Sequence, residues 1–303
     1  MAIPNFFIIG APKCGTTALS EYLKENPNVF MSTPKEPKYF DLDLSYPVKI
    51  DKEAYLDLFS KADPSVHKAI GEGSTSYLFS QRAVAEILKF NPEAKFIVML
   101  RNPVELVQGW HNQCIIAGQE DILDFETAWH AEADRKKGGK IPLLCMEKKN
   151  LMYSEWGKLG DQMERLLSTV KKDRLKVILF DDFVSDTEKT YEETLSFLGV
   201  PSDGRKIFPK VNERQKIRWP WLQRILRFVG MNVPRIKKKL GLTKGLGLIT
   251  KIIALNTASG KRKPLSENML LELRAFYRDD IMKLSSLLGR DLSSWMTDSN
   301  PKI

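Results

Sequence analysis

No apolar run in this 303-residue chain approaches the roughly 20 residues that a membrane-spanning helix requires. The first apolar stretch, from Phe6, is too short and too poor in leading positive charge to read as a secretory leader. Cysteine is scarce. Cys14, Cys114 and Cys145 are odd in number and lack metal-ligand spacing, which argues against a disulfide framework or a zinc-type centre and fits a reducing compartment. Internal repeats and low-complexity tracts are also missing, which excludes solenoids and compositional disorder. A cytoplasmic globular protein is the expectation. The hydrophobic fraction of 43% suffices for a substantial core, and the length suits one large α/β domain over 1–303.

Acidic residues are nearly absent from one segment. Between Arg205 and Lys263 there are 17 Lys/Arg against a single acid, Glu213, a charge of +16 in a chain whose total is +9, so the remainder sums to −7. The basicity therefore belongs to that segment and reflects its task. Lys216-Ile217-Arg218-Trp219-Pro220-Trp221-Leu222-Gln223-Arg224-Ile225-Leu226-Arg227 interleaves cations with tryptophan and aliphatic residues. Such a composition suits an anionic acceptor, a helical lid over an active site, a solvated cap, or peripheral membrane contact through 205–258. No nucleic-acid readout motif accompanies it, so nucleic acid is not an expected partner.

What the chain does contain is an alternation of strand and helix signals over its first 200 residues. Short apolar strands are expected at Asn5–Gly10, Lys68–Glu72, Lys95–Leu100 and Lys176–Phe180. Helices are expected near Thr17–Glu25, Gln81–Phe90, Val104–Ala117, Phe125–Lys136, Ser154–Val170 and Thr187–Leu198, the last stopping at Gly199. From Arg205 onward no strand pattern is visible. Short basic helices are expected at Ile217–Val229, Val233–Leu240 and Leu246–Leu255, then a long one over Ser266–Leu288 with Ser266 as N-cap. The fold class is α/β, a P-loop-like parallel sheet flanked by helices, with 205–263 as a basic helical insertion or lid.

In such sheets ligands bind beyond the carboxyl ends of the strands. The first strand runs into Gly10-Ala11-Pro12-Lys13-Cys14-Gly15-Thr16-Thr17, a glycine-bounded loop before a helix. A Walker-type loop is GxxxxGK[ST]. Here the glycines keep that spacing, but Thr16 holds the lysine slot and the lysine sits inside the loop at Lys13. Backbone N–H groups, two hydroxyls and an ammonium still make an anion cradle. Arg101-Asn102-Pro103 follows another strand and can grip a phosphate bidentately, or simply cap a helix. Gly71-Glu72-Gly73-Ser74-Thr75-Ser76 reads as structural support, and Asp181-Asp182 as helix-start acids. A P-loop kinase with Asp181 as a magnesium ligand remains an alternative at this point, as does a non-catalytic binding homologue.

Lys13-Cys14-Gly15-Thr16-Thr17, Lys35-Glu36-Pro37-Lys38-Tyr39-Phe40, Gly71-Glu72, Leu100-Arg101-Asn102-Pro103, Leu179-Phe180-Asp181-Asp182-Phe183, Phe197-Leu198-Gly199-Val200 and Pro264-Leu265-Ser266 occur in this order. The set resembles the landmarks of sulfotransferases that use 3′-phosphoadenylyl sulfate (PAPS), in their bacterial and carbohydrate, heparan-sulfate-type branch. The resemblance implies that Lys13, Cys14, Gly15, Thr16 and Thr17 hold the 5′-phosphosulfate and that Arg101 holds the 3′-phosphate. It further implies Glu36 as general base, Lys13 stabilising the leaving phosphate, PAP as product, no metal, and a hydroxyl on a carbohydrate, lipid or small metabolite as acceptor. Ser259-Gly260-Lys261-Arg262-Lys263 falls where the family has a basic loop over PAPS. Two positions depart from the pattern. Gly109 stands where a serine usually shares the 3′-phosphate, so His111, Asn112 or a backbone N–H would substitute, or affinity is weaker. Gly73 stands where carbohydrate enzymes often carry a lysine, which leaves less positive charge over the acceptor. His111 otherwise reads as a helix-surface residue.

Overall fold

The computed structural model describes residues 2–46, 49–211, 215–219, 221–226, 228–229, 255–260 and 263–297. It divides into two compact units, one of residues 1–106, 156–211 and 272–303, the other of residues 107–155 and 212–271. The helices are α1 (Thr16–Lys24), α2 (Lys52–Asp57), α3 (Ala83–Phe90), α4 (Pro103–Ile116), α5 (Phe125–His130), α6 (Glu132–Lys136), α7 (Tyr153–Trp156), α8 (Leu159–Leu167), α9 (Phe180–Ser185), α10 (Thr187–Leu198) and α11 (Glu267–Leu288). Residues 221–226 and 228–229 are also helical.

The first unit is built on five parallel strands, β1 (Phe6–Gly10), β2 (Val29–Met31), β3 (Ala69–Gly73), β4 (Lys95–Leu100) and β5 (Leu175–Leu179), in the order β2-β3-β1-β4-β5. Parallel strands covered on both faces need apolar residues at every position rather than alternation. Accordingly β1 and β3 are buried throughout, and β4 at all but its first residue. From β1 the chain goes out to β2 and β3 on one side and then to β4 and β5 on the other, so the order reverses at β1. Such a reversal opens a crevice at the strand's carboxyl end. The β1–β4 register slips between Ile8 and Gly10, and the Ala11 N–H donates to Met99 O at 2.7 Å, which ties the following loop to the sheet.

Most helix boundaries follow local chemistry, while two helices expected whole are broken. Asp186 caps α10 by accepting from the Lys189 N–H, and Gly199 closes it in the left-handed region at φ 76°. Ser266 caps α11, its Oγ accepting from the Met269 N–H at 3.2 Å, as expected. The single helix expected over Ser154–Val170 is instead broken between α7 and α8. A Cβ on Gly157 would lie 2.4 Å from the Tyr277 ring, and the Asp280 carboxylate accepts the N–H groups of Gly160 and Asp161 at 2.8 and 2.9 Å. The Phe125–Lys136 helix is likewise split in two, at Ala131.

The second unit holds a buried ion pair, Arg135–Glu120 at 2.8 Å, which also receives the Tyr153 hydroxyl at 2.6 Å. Contrary to the sequence reading, its basic segment contains strands: β6 (Gln215–Ile217) pairs antiparallel with β7 (Thr257–Ser259). Three residues are too few to show a two-residue period, and their partners lie at opposite ends of the segment. His111 is a second correction. It is buried, not on the surface, with Nε2 2.8 Å from Ile122 O and its ring edge-on to Phe125 and Tyr153; burial holds its pKa below the ordinary histidine value. The helices expected at Val233–Leu240 and Leu246–Leu255 lie almost wholly outside the described residues.

Candidate active site

The loop after β1 can only be glycine at its two ends. Gly10 has φ 151° and Gly15 φ 90°. A Cβ on Gly10 would meet Leu78 Cβ at 2.8 Å and the Thr75 carbonyl at 3.1 Å, while one on Gly15 would meet the Phe180 ring at 3.1 Å. Gly15 is also the N-cap of α1 and offers no side-chain acceptor, so the first N–H groups of that helix face the loop without a cap. Thr16 is buried and Thr17 half-buried behind them. Lys13, at the loop's apex, has φ 63°, a left-handed conformation that costs a non-glycine residue roughly 1–3 kcal/mol and concentrates at functional sites. Cys14 is fully buried. Burial pushes its thiol up to about 12 against the opposing charges of Arg101 and Lys13, and its Sγ donates to Pro12 O.

Glu36 is held by a segment laid across the end of β3. The Glu36 N–H donates to Gly73 O at 3.1 Å, the Lys38 N–H to Ser74 Oγ at 3.1 Å, and the Tyr39 N–H to Tyr77 Oη at 3.0 Å. Tyr77 and Ser74 in turn each donate to the Glu72 carboxylate at 2.7 Å. Glu72 is fully buried, and that burial raises its pKa to about 7 although three hydroxyls donate to it. Phe40 completes the anchor edge-on to Phe7, Tyr55, Tyr77 and Phe90. At the exposed end of this scaffold Glu36 has φ 63°, and its carboxylate accepts from Thr75 Oγ1 at 3.0 Å, with Lys35 Nζ at 3.4 Å and Lys38 Nζ at 3.7 Å. The Lys35 stem passes 3.4 Å from where a Cβ on Gly73 would be. A lysine therefore does cover position 73, reaching over from residue 35 rather than out of the strand.

Arg101 leaves the end of β4. Asn102 Oδ1 accepts the Val104 N–H at 3.0 Å and Pro103 opens α4, so the turn is both a helix start and a platform for the arginine. The guanidinium lies 4.1 Å over the Phe180 ring and is paired with Glu105 one helical turn on. Its Nε is buried and has no partner among the described residues. A buried donor left unmade costs about 1–3 kcal/mol, which marks a place where an acceptor belongs.

Two residues tie these parts together. Thr75 meets Gly10 through its carbonyl and Glu36 through its hydroxyl. Phe180 meets Gly15 with one edge and Arg101 with its face. The lysine-bearing loop thus has the acid at one end and the arginine at the other. Neither Thr75 nor Phe180 was singled out from sequence for these contacts, and Glu105 was missed although its i,i+4 spacing from Arg101 is an ion-pair signal. Asp181, the magnesium ligand of the kinase alternative, accepts from Trp295 Nε1 at 3.3 Å in the first turn of α9. The remaining candidates fall in the second unit. Gly109 is buried in α4, Ser259 belongs to β7, Gly260 is half-buried, and Lys263 Nζ pairs with Asp124 at 3.0 Å. Lys261 and Arg262 lie outside the described residues.

The model of the sulfotransferase domain matches residues 4–217. Human bifunctional heparan sulfate N-deacetylase/N-sulfotransferase 3 is 24% identical over 314 residues, covering 99% of this chain and 32% of its own length. Human carbohydrate sulfotransferase 15 is 33% identical over 347 residues, covering 97% of this chain and 55% of its own. The chain thus spans a third to a half of these relatives. A solved sulfotransferase from Alicyclobacillus acidocaldarius superposes with a TM-score of 0.71 at 24% identity, over 98% of this chain and 100% of that one, a likeness of fold. With the family model covering most of the chain, this protein belongs to the sulfotransferase domain family.

Proposed function

We propose that the protein transfers the sulfuryl group of PAPS to a hydroxyl of a carbohydrate, lipid or small-metabolite acceptor. One observation carries this reading: Lys13 sits in a glycine-bounded, uncapped cradle with Glu36 at one end and an incompletely satisfied Arg101 at the other. The cradle fits a phosphosulfate because its helix N–H groups lack a side-chain cap, and the buried Arg101 Nε fits a second phosphate. Arginine is the side chain suited to bidentate phosphate recognition.

PAPS supplies an activated sulfuryl group already bonded to a phosphate oxygen. Transfer forms a bond from the acceptor oxygen to sulfur and breaks the sulfur–oxygen bond to the 5′-phosphate. Glu36 takes the acceptor's proton, and Thr75, Lys35 and Lys38 fix its carboxylate in place. Lys13 and the α1 N–H groups offset the charge that gathers on the phosphate oxygen as that bond opens, a kind of stabilisation worth several kcal/mol. These roles require no metal, so transfer is expected to persist in EDTA. Carbohydrate hydroxyls lead the acceptor panel because the relatives' names specify carbohydrate and heparan sulfate. The test is PAP release from PAPS, followed by chromatography with sugars, lipids and small alcohols, with and without EDTA. Acceptor-dependent release supports the reading, and ATP turnover requiring Mg²⁺ with none from PAPS defeats it.

The Arg101–Glu105 pair yields a further expectation. Arg101→Ala should weaken binding of 3′-phosphoadenosine 5′-phosphate about 10–100-fold, the loss of charge-assisted hydrogen bonds, and barely affect adenosine 5′-phosphate. Glu105→Gln should tighten the bisphosphate, because the carboxylate competes for the same guanidinium. Isothermal calorimetry on both variants measures each effect. Equal losses for both nucleotides would remove Arg101 from the 3′ side.

A further inference from the structure

The second unit carries an exposed apolar face. Residues 221–226 and 228–229 are helical, and Leu222, Gln223 and Leu226 turn inward. The opposite face shows Trp221 (62% exposed), Ile225 (51%), Phe228 (54%) and Val229 (38%), with Trp219 (50%) just before the helix. Their i, i+4, i+7, i+8 spacing places them on one stripe. Single exposed apolar residues are ordinary, but a contiguous aromatic and aliphatic stripe marks an interaction surface.

The face is built rather than loosely draped. The fully buried Asn256 accepts the Trp219 N–H at 2.9 Å and donates to Trp219 O at 3.1 Å. Gln223 Nε2 donates to Ile116 O at 2.7 Å, and Arg224 pairs with Asp121 at 2.8 Å. These bonds spend the segment's polar groups on the unit and leave the tryptophans outside. Charge identifies the occupant. The stripe belongs to the stretch with 17 Lys/Arg and one acid, and Arg218 beside it is exposed. A second copy docking through this same face would bring the same positive charge and be repelled. Tryptophan and phenylalanine in so basic a stretch of sequence match the layered chemistry of an anionic bilayer, with headgroup phosphates outside and acyl chains beneath.

We propose that the face formed by Trp219, Trp221, Ile225, Phe228 and Val229, with Arg218 beside it, docks on an anionic lipid membrane. This holds whichever acceptor the first unit uses. The test is co-sedimentation of the full chain with phosphatidylcholine vesicles and with vesicles containing phosphatidylserine, at low and at physiological salt. Partition into the anionic vesicles is expected to exceed that into neutral ones at least tenfold and to fall with salt. The Trp221→Glu/Ile225→Glu variant should partition at least tenfold less while still binding 3′-phosphoadenosine 5′-phosphate. Quenching of wild-type tryptophan fluorescence by brominated acyl chains gives a readout that needs no variant. Absence of binding to anionic vesicles, equal binding by the variant, or no quenching overturns the proposal. Lipid-free self-association abolished by the same substitutions, without vesicle binding, would assign the face to a second copy and also overturn it.

Discussion

Glu36→Gln is expected to lower sulfuryl transfer by about 10²–10⁴-fold, the usual contribution of a positioned proton acceptor. Binding of 3′-phosphoadenosine 5′-phosphate should be unchanged. Glutamine preserves the size of the side chain and can still accept from Thr75 Oγ1, so the φ 63° backbone and its bond to Gly73 O need not move. Only the ability to take a proton is lost. Stability should also hold, because the carboxylate is a third exposed and its lysine pairs are of the partly solvated kind worth little. A single-turnover assay beside calorimetric binding separates the roles. If bisphosphate binding falls with turnover, Glu36 shapes the cradle and does not take the proton.

The second large effect belongs to Glu72. Its buried carboxyl is raised from 4.5 to about 7, chiefly by burial, with the donors Ser74, Tyr77 and Tyr55 opposing. Below pH 4.5 the group is neutral in both folded and unfolded chains and its contribution to stability is complete. As pH rises from 4.5 to about 7 the unfolded chain gives up this proton while the folded chain keeps it, so stability is progressively lost. Asp41, raised from 3.8 to about 6 by burial, adds a slope of the same sign. Glu72→Gln stays neutral throughout and should gain on the wild type between pH 5 and 8, by roughly 3 kcal/mol. Denaturant melts across that range measure it. Glu72→Ala should instead cost roughly 3 kcal/mol, since it leaves buried hydroxyls without an acceptor. It should also lower turnover, because Tyr77 and Ser74 carry the Glu36 segment through the bonds to Tyr39 and Lys38. A Glu72→Gln variant whose pH slope matches the wild type would show that this carboxyl does not titrate as its burial requires.

Parts of the fold encoded by short-range chemistry were legible. The run from Phe6 into Gly10 and Gly15 announced strand, loop and helix because only glycine satisfies the φ values there. Ser266 and Gly199 marked helix ends for equally local reasons. What escaped depended on distant neighbours. Gly157 breaks a helix because Tyr277 packs against it, and β6 pairs with β7 across the whole basic segment. His111 is buried by Phe125 and Tyr153, which its own helix does not supply. The site divides in the same way. Lys13 and Arg101 declare themselves by following strands. Glu36 does not, since its position depends on Glu72 beneath it; family resemblance alone singled it out. Glu105 is signalled by its i,i+4 spacing from Arg101, whereas Phe180 emerges as a partner only when β4 and β5 lie side by side.

The central claim is that the Lys13 loop and Arg101 together hold a nucleotide bearing both 5′- and 3′-phosphates. Thermal stabilisation tests it most directly, with 3′-phosphoadenosine 5′-phosphate, ADP and ATP–Mg²⁺ compared at equal concentration. At 100 times its dissociation constant the bisphosphate should stabilise the fold by about 2.7 kcal/mol. For a chain of this size that is a rise in melting temperature of roughly 5 °C, with little from the other two nucleotides. A shift produced by ATP–Mg²⁺ and not by the bisphosphate would contradict the claim.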